Sequence, residues 1–213
     1  IIQLSGENMI KTASMLKQEL KEYSDITSRI SILVDKGELT PIIRGYYETD
    51  KTTPGHYLAS LIYGPSYLSF EFALSHHGLI PEAVYQFTSA TYNKRRRKKY
   101  ETPFGVYTYR DVPKDAFYLA TILYHENGYS YIVASPEKAI CDVLYTYEPC
   151  ANQKELLLLM FDFLRIEKEE FKKLDFKLLI ELTDYYQTKN SKLLKNYVKK
   201  EQKNANNFEP NDQ

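Results

Sequence analysis

The sequence predicts an α+β fold, and three observations carry that prediction. Apolar residues recur at helical spacing near both ends of the chain, alternate with polar ones in its middle, and are separated by sharp turn signals. Residues 1–53 read as helix, turn, helix and a small ribbon, and residues 54–213 read as a larger mixed domain. The polar, turn-rich Asp50-Lys-Thr-Thr-Pro-Gly marks the boundary between them. In the larger domain the expectation is an antiparallel sheet followed by C-terminal helices.

In chain order, Met9, Ala13, Leu16 and Leu20 lie on one face of a first helix. Ser24 is placed to cap a second, in which Ile26, Ile30, Leu33 and Val34 share a face and Gly37 is the stop. Residues 39–47 follow as two short extended pieces, broken by Pro41 and bent at Gly45. That order is the order of a winged helix-turn-helix, whose second helix enters the major groove. Its outward side chains here are Thr27, Ser28, Arg29 and Ser31, with Lys36 behind them and Arg44 on the wing. Arg29 is the candidate for reading a guanine bidentately. Residues 1–53 carry seven Lys+Arg against eight Asp+Glu. DNA-binding domains usually have a basic surplus, so a protein-contact module stands beside the DNA-binding reading.

His56 to Tyr63 reads as a short helix, and a longer one is expected from Pro65 to Gly78. A two-stranded ribbon follows, Ala83 to Thr88 returning as Phe104 to Tyr109, with Lys94, Arg95, Arg96, Arg97, Lys98 and Lys99 at its bend. Six unpaired cations cannot sit in a core. They are either a solvated tip or a contact for phosphates or an acidic partner. Ala116 to His125 and Tyr129 to Ala134 form a hairpin across Asn127-Gly128. Ser135-Pro136-Glu137 opens a helix with a capping hydroxyl, a proline at its first position and a carboxylate at its positive end. Ala139, Ile140, Val143 and Leu144 are its buried face. From Gln153 onward the chain reads as helical, with Leu156 to Leu164 buried, two further helices on Phe176–Leu182 and Leu193–Val198, and residues 204–213 frayed.

Lys+Arg and Asp+Glu number 28 each, so no global field draws nucleic acid or membrane, and contact with either needs a local patch. Cys141 and Cys150 have no metal-ligand spacing and read as buried thiols in a reducing cytoplasm. No stretch approaches the ~20 apolar residues of a membrane span, and no leader pattern is visible. The sequence therefore reads as cytoplasmic.

Chemistry is sparse. His76 and His77 are adjacent and diverge on a helix, and no HExxH, GxSxG, GxxxxGKS/T or GxGxxG occurs. Glu137-Lys138 could belong to a nuclease only with further carboxylates, for which Asp111 and Asp115 are the nearest candidates. A cap and dipole role explains Glu137 without chemistry. The expectation is no catalysis, no metal and no cofactor. Tyr92, Tyr100, Tyr107, Tyr109, Tyr124, Tyr129 and Tyr131 read either as an interface or as compositional bias among 20 tyrosines.

Four blocks carry a resemblance: IYGPSYLSFEFALSHHGLIPE, VYQFTSAT, KRRRKKYETPFGVYTYR and IVASPEKAICDVLY. In that order, over roughly Asp25 to Tyr147, the chain resembles the AbiEi antitoxin family of type IV toxin–antitoxin (abortive-infection) systems. DITSRISILVDKGELTPIIRGYY is similar to that family's N-terminal winged helix, which binds inverted repeats in its own promoter. The resemblance implies a phage-defence antitoxin and transcriptional autorepressor. It also implies a cognate AbiEii-type nucleotidyltransferase toxin, counteracted without tight binding being required. In the family the equivalent of the 94–99 segment lies in the domain associated with neutralising the toxin and assisting promoter binding. The alternative from another class is a protein-interaction module with a degenerate winged helix.

Overall fold

The structure is a computed structural model and describes residues 10–206. Its front part runs β1 (Lys11–Thr12), α1 (Ala13–Glu19), α2 (Ile26–Asp35), β2 (Thr40–Ile43) and β3 (Tyr46–Glu48), with the strands in the order β1-β3-β2. The first helix starts later than its apolar spacing predicts. Thr12 caps it, accepting from Met15 N–H at 3.1 Å, because Lys11 and Thr12 are already paired with Tyr47 and Tyr46 of β3. Met9 lies outside the described residues. The second cap is Asp25 rather than Ser24. Its Oδ1 accepts from Ser28 N–H at 3.0 Å and its Oδ2 from Ser28 Oγ at 2.6 Å, one oxygen for each donor. Gly37 ends α2 as expected, at φ +70°, and Glu38 N–H then closes on Leu33 O at 2.9 Å. Leu16, Leu20, Leu33 and Leu39 are buried together, with Ile26, Ile30, Val34 and Tyr47 packed around them.

The larger sheet orders β4 (Tyr67–Leu68), β5 (Gln86–Thr91), β6 (Lys98–Thr102), β7 (Gly105–Asp111), β8 (Thr121–Glu126) and β9 (Tyr129–Ala134) as β6-β7-β5-β4-β9-β8. It is mixed rather than antiparallel. β5 and β7 run parallel over six register pairs, and β4 meets β9 in parallel. The expected two-stranded ribbon is therefore absent. β5 and β7 are neighbours but not a hairpin, and the antiparallel partner of β7 is β6, at the sheet edge. The cationic segment is the crossover from β5 to that edge strand, not a hairpin bend.

A second correction concerns Pro65. Tyr67 and Leu68 are not helical; they pair with Ala90, Ser89 and Val133 in the middle of the sheet, and that pairing overrides the helical spacing. The helix there is α4 (Phe70–His76), closed by Gly78 at φ +69° with Leu79 N–H on Leu74 O at 2.8 Å. The expected short helix is a 3₁₀ turn at Gly55–Leu58 running into α3 (Ala59–Ile62).

The Asn127-Gly128 turn joins β8 to β9 with positive φ at both residues, as expected, although β8 begins at Thr121 and not at Ala116. Ser135 caps α5 (Pro136–Tyr145), accepting from Lys138 N–H at 3.2 Å. The helices α6 (Gln153–Leu157), α7 (Lys168–Lys172), α8 (Phe176–Tyr186) and α9 (Lys189–Asn206) complete the described chain. The stretch from Leu156 to Leu164 is only partly buried. A π-helical turn at Leu158–Phe163 rotates the apolar stripe, burying Leu156 and Met160 but leaving Phe163 70% exposed. α9 stays helical to Asn206, past the expected fraying point at 204.

The front part is tied to the rest by Ile42, which joins the main core, and by the buried Glu48. Glu48 Oε2 accepts from the Tyr129 hydroxyl at 2.7 Å, and Oε1 accepts from Thr49 N–H at 2.8 Å. Burial and the Glu48 charge push the Tyr129 phenol up to about 12, so it remains a donor. Tyr107 and Tyr109 are not surface residues; both are fully buried, donating to Gly55 O at 2.8 Å and Ala59 O at 2.6 Å. Tyr131 is buried too, while Tyr92, Tyr100, Tyr124 and Tyr129 are half-buried.

His56 is wedged edge-on between Tyr57 and Tyr131, at 4.4 and 4.9 Å between ring centroids. Burial lowers its pKa, against the opposing pull of Glu126, and nearby His76 lowers it further. The unfolded chain protonates this ring near 6.5, so below that pH the unfolded state binds more protons and stability falls as pH falls. His56→Phe should flatten the decline in denaturation midpoint between about pH 7 and 5. An unchanged slope would mean the ring is not held neutral.

Candidate nucleic-acid interface

Two stretches present groups suited to a polyanion. On α2, Thr27, Ser28 and Ser31 are exposed, with Lys36 exposed just past its end and Arg44 exposed in the β2–β3 turn. The Ser28 hydroxyl is already committed to Asp25. Arg29 is half-buried, its guanidinium lying 4.8 Å from the Tyr23 ring centroid, and its Nε is buried without a partner. Ile32, 43% exposed, stands on the same helix as an apolar group in solvent.

The second stretch is the crossover between β5 and β6. One carboxylate folds it. Asp111 Oδ2 accepts from Lys94 N–H at 2.8 Å and from Arg95 N–H at 2.7 Å, while Oδ1 accepts from Thr91 Oγ1 at 2.7 Å. Asn93 and Arg95 adopt positive φ to make that turn, a conformation disfavoured outside glycine. Lys94 is partly tied down, donating to Gly64 O at 3.1 Å with its ammonium 5.0 Å from the Tyr63 ring centroid. Lys99 pairs with Glu101 at 2.6 Å. Arg95, Arg96, Arg97 and Lys98 are exposed and have no carboxylate partner among the described residues.

Beside this segment, Arg110 is gripped by Glu71, Nη1 to Oε1 at 3.1 Å and Nη2 to Oε2, with its guanidinium 3.9 Å from the Phe70 ring centroid. Glu71, Arg97 and Arg110 line one open groove of about 680 Å³ with Tyr85 and Lys98.

No protein-family model matches the chain, and no curated protein matches it. Among solved structures it is similar to the RV2827C protein of Mycobacterium tuberculosis. The two share 14% identity over 88% of this chain and 75% of that one, at a TM-score of 0.46. The likeness is distant.

The structure places each residue weighed for catalysis. Asp111 holds the cationic turn, and Asp115 sits exposed in a 3₁₀ turn. Glu137 accepts from Ser135 Oγ at 2.9 Å and from Asp175 N–H at 3.1 Å. His76 and His77 do not diverge: their ring centroids lie 5.0 Å apart, edge to face, while His76 also stacks on Phe72 and His77 Nε2 lies 2.7 Å from Ala134 O. Cys141 and Cys150 are free, buried thiols, the first pushed well up by burial. Among the described residues no three His, Cys, Asp or Glu stand together as metal ligands, and no helix is long and apolar enough to cross a membrane.

Sequence reasoning missed Tyr85, Glu71 and Arg110 as groove residues. A Tyr in a polar, proline-led segment, Pro81-Glu-Ala-Val-Tyr85, was the one available signal. The Glu71–Arg110 pair spans 39 residues and leaves no local trace.

Proposed function

We propose that this protein is an AbiEi-like antitoxin and DNA-binding autorepressor, acting by contact and not by catalysis. The observation that carries the nucleic-acid part is the run Arg95 to Lys98: four adjacent exposed cations without carboxylate partners among the described residues, in a chain whose total charge balances. Like charges crowded on one turn repel, and a phosphate backbone relieves that repulsion by releasing its counterions. The antitoxin part is supported by the resemblance of the four sequence blocks. The promoter part is supported by the helix–helix–hairpin order of the front module and the small hydroxyl side chains on α2, which allow close approach to a duplex.

In this reading α2 lies in the major groove, with Thr27 and Ser31 at its base-facing surface and Lys36 and Arg44 on the backbone. Arg29 must leave the Tyr23 ring to reach a base. The intended partners are operator DNA with inverted repeats and a nucleotidyltransferase toxin encoded alongside.

A gel shift with the DNA upstream of the chain's own gene tests the repressor half. Ser31→Asp places a carboxylate against the duplex and should abolish the shift, while Arg29→Ala should relax its sequence preference. A shift indifferent to Ser31→Asp would remove α2 from the interface. Co-expression with the adjacent gene, scored as growth rescue, tests the antitoxin half. No rescue, or no nucleotidyltransferase gene nearby, would favour the protein-interaction module instead.

A further inference from the structure

Strand alternation gives the β6–β7–β5 end of the sheet two different faces. Phe87, Tyr107 and Tyr109 point into the core, the two tyrosines fully buried. Thr88, Thr108 and Lys99 form one row across the opposite face. α4 covers that face over β5, where Phe72 N–H donates to Thr88 Oγ1 at 3.0 Å. Its cover stops at Glu71, and the open groove of about 680 Å³ begins there.

The groove is chemically lopsided. Arg97, Lys99 and Arg110 line it against one carboxylate, Glu71, although Lys99 is also held by Glu101; Lys98 borders it too, but its register partner is Tyr109, on the core-facing side. Tyr85 also lines it, 87% exposed, more than any other large apolar side chain among the described residues. It has no ring partner there either, although most tyrosines of this chain stack on or edge against another ring. An exposed planar ring beside a row of cations, above a floor of hydroxyl and amide side chains, is how proteins hold unpaired nucleotides. The ring stacks on a base, the cations follow the phosphates, and groups such as Gln86 and Thr108 meet base edges.

We propose that this groove binds single-stranded nucleic acid, with one base stacked on Tyr85 and the backbone running along Arg97 toward Lys99. A duplex cannot use the ring, because its bases are already stacked. An acidic peptide would use the cations but gain little from the ring. The proposal shares the cationic run with the promoter reading but does not depend on α2.

Fluorescence anisotropy of the full chain with labelled oligo-dT and oligo-rU, over a series of salt concentrations, tests it. Both should bind at low salt, and any preference between them tells whether DNA or RNA is the better ligand. Tyr85→Ala should weaken binding roughly 5- to 150-fold, the value of one stacked base, and Tyr85→Phe should restore most of it. Arg97→Ala should lower the slope of log K against log salt by about 0.7. Ser31→Asp should leave these affinities unchanged even where it abolishes the operator shift, so the two readings fail separately. Absence of oligonucleotide binding at low salt would overturn the proposal. So would affinities indifferent to Tyr85→Ala, or displacement of the oligonucleotide by poly-glutamate as readily as by unlabelled oligonucleotide.

Discussion

Asp142→Ala should lower the free energy of unfolding by about 3–5 kcal/mol, the largest loss expected from any single change in this chain. Asp142 is fully buried on α5 and has four partners: Tyr67 and Ser69 at β4 and just after it, Tyr186 on α8, and Lys138 on its own helix. Its Oδ2 accepts from Ser69 Oγ at 2.6 Å and from the Tyr67 hydroxyl at 2.9 Å; its Oδ1 accepts from the Tyr186 hydroxyl at 2.5 Å. Lys138, one helical turn earlier and equally buried, lies 3.6 Å from Oδ1. The ammonium also donates to Ala116 O at 2.7 Å and to Tyr186 at 3.0 Å. Burial, then the Asp142 charge, hold both phenols far above their usual range, so they remain donors at any physiological pH.

Removing the carboxylate strands a buried ammonium and three hydroxyls. At about 2–4 °C per kcal/mol for a chain this size, the midpoint should drop by roughly 6–20 °C. Lys138→Met should cost a comparable amount, because it leaves the carboxylate uncompensated. The double variant Lys138→Met/Asp142→Asn should lose less than the sum of its singles, by about 0.5–3 kcal/mol. Chemical denaturation measures all of this. Strict additivity, or a loss under 1 kcal/mol for Asp142→Ala, would show that the network does not hold α5 in place.

The second large effect is on binding. Replacing Arg95, Arg96 and Arg97 together by alanine should weaken duplex binding about 100-fold at 0.15 M salt. The figure follows from the slope of about 0.9 per neutralised phosphate, which for three contacts is roughly 2.7 decades per decade of salt. The salt slope itself should flatten by that amount. The fold should survive, because Asp111 holds this turn through the backbone N–H groups of Lys94 and Arg95, not through the side chains removed. Alanine at 95 keeps the β-carbon, so the cost of positive φ there is unchanged. An unaltered slope with normal stability would assign the run to solvent or to a protein.

Local signals in the sequence were reliable where a residue acts on its own backbone. Gly37 and Gly78 end their helices, Asn127-Gly128 turns its hairpin, and Ser135-Pro136 starts α5. The exposure of Arg95 to Lys98 was equally legible, since no nearby sequence offers them enough carboxylates. What was hidden depends on partners far along the chain. Tyr67 and Leu68 look helical until Ala90 and Val133 arrive beside them. Nothing local marks Lys138 and Asp142, one turn apart on α5, as buried; Tyr67, Ser69 and Tyr186 bond Asp142 there. The parallel pairing of β5 with β7 has no signature in either strand, because alternation is the same for both directions. The candidate site divides the same way: its cations could be read directly, whereas the Glu71–Arg110 clasp could not.

β6 is an outer strand, and one side of its main chain has no neighbouring strand among the described residues. Such a rim invites a second molecule to zip onto it and so seeds insoluble material. Lys98, Lys99 and Glu101 keep this one charged along its length. The lysines proposed for a ligand thus also guard an open sheet edge, so a change that weakens one role bears on the other.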